Sequence, residues 1–328
     1  MVAQEWSIDG PRVLDIGDEH EQVTSLQVGV VAGRVDVVTH DDSPTARVEV
    51  TQVEGLPLRV RWDDGTLRVI HGKDDDANIL DMLKRTFETF GRNRAVISIS
   101  VPVATRASVS TVSAAAVVSG VHEKVTVNTV SGAVTISDVV GAIDLNTVSG
   151  TVDGDDLDGP TTVNTVSGSV TLQGSRLPSV DANTVSGDIA MDLTSGAATI
   201  QSSSVSGDVT VRAPLTGYDI EGHTATGQVI VDGRTLPRAG RNGFGGPGKG
   251  GRLFDGDGSL KVKASAVSGS IVVLRSTATG TVPSTPQDQP PSAGGPPQDR
   301  PPQDPPPTSP SPQDSPPEAY RPVDGTDR

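Results

Sequence analysis

The chain has 328 residues, a formal net charge of -15 and only 2% aromatic residues. That charge argues against nonspecific attraction to nucleic acid or anionic lipid, and the scarcity of aromatics leaves the core to Val, Ile, Leu and Ala. With no cysteine in the chain, disulfides and thiolate metal sites are excluded.

The opening MVAQEWSIDGPRVLDIGDEHEQ has no basic segment followed by an apolar run, so it does not read as a secretory signal. No stretch reaches the roughly 18 apolar residues of a membrane helix. The expected location is the cytoplasm, without direct membrane insertion. Residues 12–71 carry alternating runs such as SLQVGVV, RVDVVTH, ARVEV and TLRVI between turn-rich pieces, which predicts short strands. They serve either as an antiparallel β cap or as irregular first coils of a solenoid continued downstream. The segment ANILDMLKRTFETFG spaces Ile79, Leu80, Leu83, Phe87 and Phe90 as one helical face, predicting a short helix near 78–91. The cap region runs to about residue 103.

From about 104 to 275 the chain repeats itself. NTVSG stands at 128–132, 146–150, 164–168 and 183–187, with SSVSG at 203–207 and SAVSG at 265–269. The closing glycines Gly132, Gly150, Gly168, Gly187 and Gly207 are 18, 18, 19 and 20 residues apart, the mark of a solenoid. Each period holds two nine-residue halves, VSGAVTISD and VVGAIDLNT, and therefore two short strands. Alternation assigns Val134, Ile136, Val139, Ile143, Leu145 and Val148 to the interior, with Thr135, Asp144, Asn146 and Thr147 between them or at corners. Gly132 and Gly141 are expected at corners, where glycine tolerates positive φ.

A lone coil cannot offset its own ordering entropy, so stability must come from stacking. Stacking places like residues above one another: Asn128, Asn146, Asn164 and Asn183 as an amide ladder, Thr129, Thr147, Thr165 and Thr184 as a threonine row. Ser203 and Ser265 replace Asn later, which predicts a weaker ladder there. The fold class is thus all-β, a single-chain β-solenoid of parallel coils of about 18–20 residues. A Gly-rich insertion interrupts it near 233–259. After 275 the composition changes: PQD recurs at 286–288, 297–299, 302–304 and 312–314, and 276–328 reads as a disordered proline-rich tail.

Several patterns imitate chemistry. Gly243, Gly248 and Lys249 match a phosphate-binding loop, but Gly250 stands where Ser or Thr should follow and both flanks are strand-like. Asp153, Asp155, Asp156 and Asp158 crowd one corner, and Asp255 and Asp257 another. These offer hard oxygen ligands of the calcium type but fit no known calcium frame; solvated turns are the plainer reading, as they are for Asp74–Asp76. His20, His40, His71, His122 and His223 are scattered. Ser131, Ser149, Ser167 and Ser186 recur as turn residues, whereas a nucleophile is unique and set beside a base.

The array VSGxVxV, a mid-coil Gly, then xVxLNTVSG, preceded by VISISVPVATRASVSTVSA, resembles the bacterial "putative adhesin" family of β-strand repeat proteins, over roughly residues 24–275. The resemblance implies a β-solenoid and no established catalytic residue; Ala114 for Gly and HTATG at 223–227 depart from its pattern. The expected function is a noncatalytic scaffold or interaction module, without cofactor or metal, for a protein or polysaccharide partner. Alternatives are a bactofilin-like scaffold polymerising through its coil ends and a carbohydrate-active β-helix enzyme.

Overall fold

The computed structural model describes residues 3–18, 21–71, 93–214, 217–236 and 249–276. The expected helix near 78–91, the phosphate-loop glycines Gly243 and Gly248, and the proline-rich tail lie outside them. Every regular element among the described residues is a strand, and the strands form two sheets of 13. Each coil gives one strand to each sheet. In the first sheet Val125–Thr129, Ile143–Thr147, Thr161–Thr165, Ser179–Thr184 and Ala198–Ser204 follow one another in parallel register. The second sheet runs Val134–Val140, Val152–Asp158, Val170–Ser175, Ile189–Leu193 and Val209–Ala213 in the same order.

The core is the aliphatic layer between the sheets. Val125, Val127, Val134, Ile136, Val139, Ile143 and Leu145 are all buried. One inward assignment is corrected: Val148 is 45% exposed and Thr147 only 4%. Thr147 is the last inward residue of its strand, sharing the parity of Ile143 and Leu145, so the next side chain falls outside. The corner also needs a hydroxyl inside. Thr147 Oγ1 accepts the Gly150 N–H at 3.0 Å, satisfying a buried donor that the turn would otherwise leave bare.

The corner glycines divide into two kinds. Gly141 has φ of +145°, the conformation that favours glycine. Gly132 does not have positive φ; its constraint is proximity, since a Cβ there would meet the carbonyl oxygen of Ala114. The same relation climbs the stack, with Gly150 against Gly132, Gly168 against Gly150, Gly187 against Gly168 and Gly207 against Gly187.

Both ends of the parallel stack finish in antiparallel strands. At the N-terminal end Ser25–Val30 and Ala32–His40 form a first coil, pairing in parallel with Arg106–Thr111 and Ala115–Ser119. Leu58–Asp63 and Gln4–Ile8 then close one sheet, and Arg94–Pro102, Ala46–Glu54 and Arg12–Ile16 extend the other. At the other end the order departs from the sequence. Leu260–Ala266 and Ile271–Arg275 slot between the 198–213 coil and Tyr218–Thr224 with Val229–Val231. Lys249–Asp255 and Arg234–Thr235 lie outermost, antiparallel. Among the described residues the buried aromatics are Trp62 and Tyr218, one near each end, where a repeat no longer covers the core and a larger side chain fills the space.

Candidate functional site

Reading NTVSG letter by letter shows what each side chain does at its corner. The threonines face inward and clip the turn: Gly132, Gly168 and Gly187 each donate N–H to Thr129, Thr165 and Thr184 Oγ1 at 3.1, 3.1 and 2.9 Å. The serines staple neighbouring coils. Ser131, Ser149, Ser167, Ser186 and Ser206 donate to the carbonyls of Val112, Val130, Val148, Val166 and Val185 at 3.1–3.2 Å. The glycines allow the backbones to approach. The asparagines form a chain of side-chain hydrogen bonds: Asn128 Nδ2 donates to Ser110 Oγ at 3.3 Å, Asn146 to Asn128 Oδ1 at 3.0 Å, Asn164 to Asn146 at 3.0 Å and Asn183 to Asn164 at 3.2 Å. Aligned amides of this kind polarise one another. Ser203 stands next in register to Asn183, and there the chain of amides ends.

The valines are left over. Val148, Val166, Val185, Val205 and Val267 are 45–55% exposed and make up most of the large exposed apolar side chains among the described residues. In-register pairing up to the preceding residue, and the bonds of their own N–H groups to the coil below, place them in a column, beside the asparagines and two residues further along the chain. Between the two columns lies a trough of about 860 Å³ with Thr129, Thr147, Thr165 and Thr184 in its floor. Its walls hold only Asn, Thr, Ser and Val. In a chain of net charge -15 this strip is uncharged, without a group that titrates near neutral pH.

Among the described residues the other sequence candidates do not assemble into sites, and His20 and Asp74–Asp76 lie outside those residues. Asp153, Asp155 and Asp156 are exposed along Val152–Asp158, and Asp158 is paired with Arg176. Among the described residues no group of three or more His, Asp or Glu is arranged to hold a metal ion. Asp257 Oδ1 accepts from Ser259 N–H at 3.1 Å as a turn residue, and Asp255 lies opposite Tyr218 in the outermost antiparallel pair. Lys249 opens a strand rather than a helix, so the phosphate-loop match lacks its structural context. His71 is buried, its Nε2 2.6 Å from the Leu56 carbonyl, and burial lowers its pKa against the raising effect of the backbone hydrogen bonds. At the C-terminal end Arg252 grips Asp219 through two bonds of 2.7 and 2.5 Å, which lowers the Asp219 pKa. Neither group touches the trough. The valine column is the feature that hydrophobicity-led reading missed; strict period-two parity from Ile143 through Leu145 to Thr147 signals it.

An all-β stack of short parallel coils, closed by antiparallel strands and carrying one uncharged apolar strip, defines a repeat-built β-solenoid-like domain. The chain belongs to the family described as Toastrack DUF4097, which matches residues 30–236. Similar solved structures include one titled a "putative adhesin" from Bacteroides fragilis NCTC 9343, at 12% identity and TM-score 0.43, covering 83% of this chain and 96% of that one. A "putative lipid binding protein" from Parabacteroides distasonis ATCC 8503 shares 15% identity at TM-score 0.42, covering 82% and 97%. A "putative cell adhesion protein" from Clostridium sporogenes ATCC 15579 shares 11% at TM-score 0.24, covering 81% and 100%. At these values the family assignment rests on the sequence match. No curated protein matches the chain.

Proposed function

We propose that the protein is a noncatalytic interaction module whose contact surface is the solenoid corner carrying the asparagine and valine columns. One observation carries this reading. Of the five residues in NTVSG, four have bonds or packing that hold the stack, while the valine is written repeatedly and left half in water. Burying such side chains is favourable, and a continuous apolar strip on a protein surface marks a contact site. A catalytic reading lacks an equivalent constellation, because the repeated serines donate to backbone carbonyls and none is set beside a base. The polymerising alternative is disfavoured by the antiparallel closure of both stack ends, which removes the coil-like template for addition.

The test uses labelled protein on arrays of immobilised peptides and neutral oligosaccharides. The variant Val148→Thr/Val166→Thr/Val185→Thr keeps β-branched shape and removes a methyl at each site. Binding is expected to drop in it and to persist in Val140→Thr, an exposed valine outside the trough. Equal binding by both variants would overturn the reading.

A further inference from the structure

Resting on that reading, we infer that the trough takes an uncharged, proline-rich segment of another polypeptide in the polyproline II conformation. Size is the first constraint. From Val130 to Val205 the trough crosses four coil intervals of about 4.8 Å, roughly 19 Å, on a corner about one sheet spacing, roughly 10 Å, wide. Its area of about 190 Å² is far below the roughly 800 Å² per partner of a stable globular interface. A flat partner, including a second copy of this chain, is therefore held poorly. A thin strand seated between the two walls uses the whole strip.

Charge is the second constraint, since no ionised side chain lines the trough and the chain as a whole is acidic. Anionic occupants are repelled by that overall field and cationic ones find no counter-charge in the strip. Hydrogen bonding is the third. Each asparagine in the ladder spends one Nδ2–H on its neighbour and keeps a second for an outside acceptor. Proline segments offer backbone carbonyls with no N–H of their own to satisfy, and a polyproline II strand leaves those carbonyls free.

Period decides between extended occupants. Three residues of polyproline II advance about 9.3 Å, against about 9.6 Å for two coils, so the two stay in step within about 0.6 Å over two turns. A β-strand repeats its same-side residues every 6.6 Å or so and loses step with 4.8 Å rungs almost at once. Same-side proline rings then lie against Val148 and Val185, two coils apart, and carbonyls accept from Asn146 and Asn183.

The experiment is fluorescence anisotropy on the full chain with a labelled, end-blocked peptide of four Pro-Pro-Gln repeats, beside a matched Ala-Ala-Gln peptide, cellohexaose and palmitate as competitors. Saturable binding of the proline peptide is expected, at least tenfold weaker for the alanine peptide and at least tenfold weaker in Val148→Thr/Val166→Thr/Val185→Thr. Asn164→Ser, which shortens the ladder as Ser203 does, is expected to weaken it as well. If cellohexaose or palmitate depends on the valine column and the proline peptide does not bind, this inference falls and the interaction surface stands. If nothing bound depends on the column, both fall.

Discussion

Replacing Gly168 by alanine tests the stacking geometry most directly. A Cβ built on Gly168 would lie 1.9 Å from the Gly150 carbonyl oxygen and 3.0 Å from its carbonyl carbon. Backbone on both sides is pinned, because Ser167 N–H donates to Val148 O at 2.8 Å and Val166 N–H to Thr147 O at 3.2 Å. Relief therefore requires prising two coils apart. Overpacking of a tight site costs about 1–3 kcal/mol, against which the reduced freedom of the unfolded alanine chain returns about 0.4–1 kcal/mol. With backbone as the obstacle the upper end of the first range applies, giving a net loss of roughly 2 kcal/mol and a melting temperature lower by roughly 4–8 °C for a domain of this size. Thermal unfolding by circular dichroism reads it out. Two alanine controls calibrate the result: Gly251 has open space and ordinary φ, while Gly233 has open space but φ of +77°, predicting no loss and a loss of roughly 1 kcal/mol respectively. If Gly168→Ala melts with the parent protein, or above Gly233→Ala, the close-packed glycine column is refuted.

Other substitutions separate the corner's parts. Thr165→Val leaves the Gly168 N–H without the hydroxyl it now uses at 3.1 Å and should cost about 1–3 kcal/mol in urea unfolding. Thr165→Ser should be nearly neutral, since Ser204 holds the same place and donates to Gly207 O at 2.6 Å. Val166→Thr, on an exposed side chain, should change stability by less than about 0.5 kcal/mol, whatever it does to binding. His71 has its folded pKa lowered from 6.5 by burial. Its neutral form is the folded form, so its contribution is full above pH 6.5 and is lost as pH falls through the folded value. His71→Gln, which keeps an N–H for the Leu56 carbonyl, should flatten that acid limb of a melting-temperature profile. Light scattering over a concentration series should give one particle size if the antiparallel ends block coil-on-coil growth.

Much of this architecture is legible in the sequence, and what is not has identifiable causes. The 18-residue period and the two half-coils announce stacking before any coordinate is known. Parity from Ile143 also places Thr147 inside and Val148 outside, but hydropathy pulls the other way, and only the Gly150 N–H bond to Thr147 shows which wins. Gly132 looks like a turn residue needing positive φ, yet its real constraint comes from a carbonyl in the neighbouring coil, which no local pattern reports. The order of the last coils is also hidden. Nothing in the linear chain says that SAVSG stacks directly on SSVSG and that HTATG, earlier in sequence, lies beyond it.

That hidden order bears on the site. In the outermost coil Thr224 still receives the Gly227 N–H at 3.1 Å, and Gly227 still faces a carbonyl beneath it, that of Gly269. Thr226 also keeps a hydroxyl, 3.5 Å from the Val267 carbonyl. The letters that hold the stack therefore survive at its end. The outward letters do not: His223 stands where Asn would be and Ala225 where Val would be. The coil inside it is intermediate. It retains Val267 but carries Ser265 and Ala266, and its Gly269 carbonyl is served by the hydroxyl of Thr224 from the next coil at 2.9 Å. Position in the stack, rather than position in the chain, thus sorts the motif into two sets. Glycine and the hydroxyl at the serine place recur through the last coil, with Ala266 a gap at the threonine place, whereas asparagine stops at Asn183 and valine runs on through Val205 to Val267 before Ala225 replaces it. The valine, whose side chain makes no bond that holds the stack, thus outlasts the asparagine ladder by two coils, as a surface built for contact would and a packing requirement alone would not.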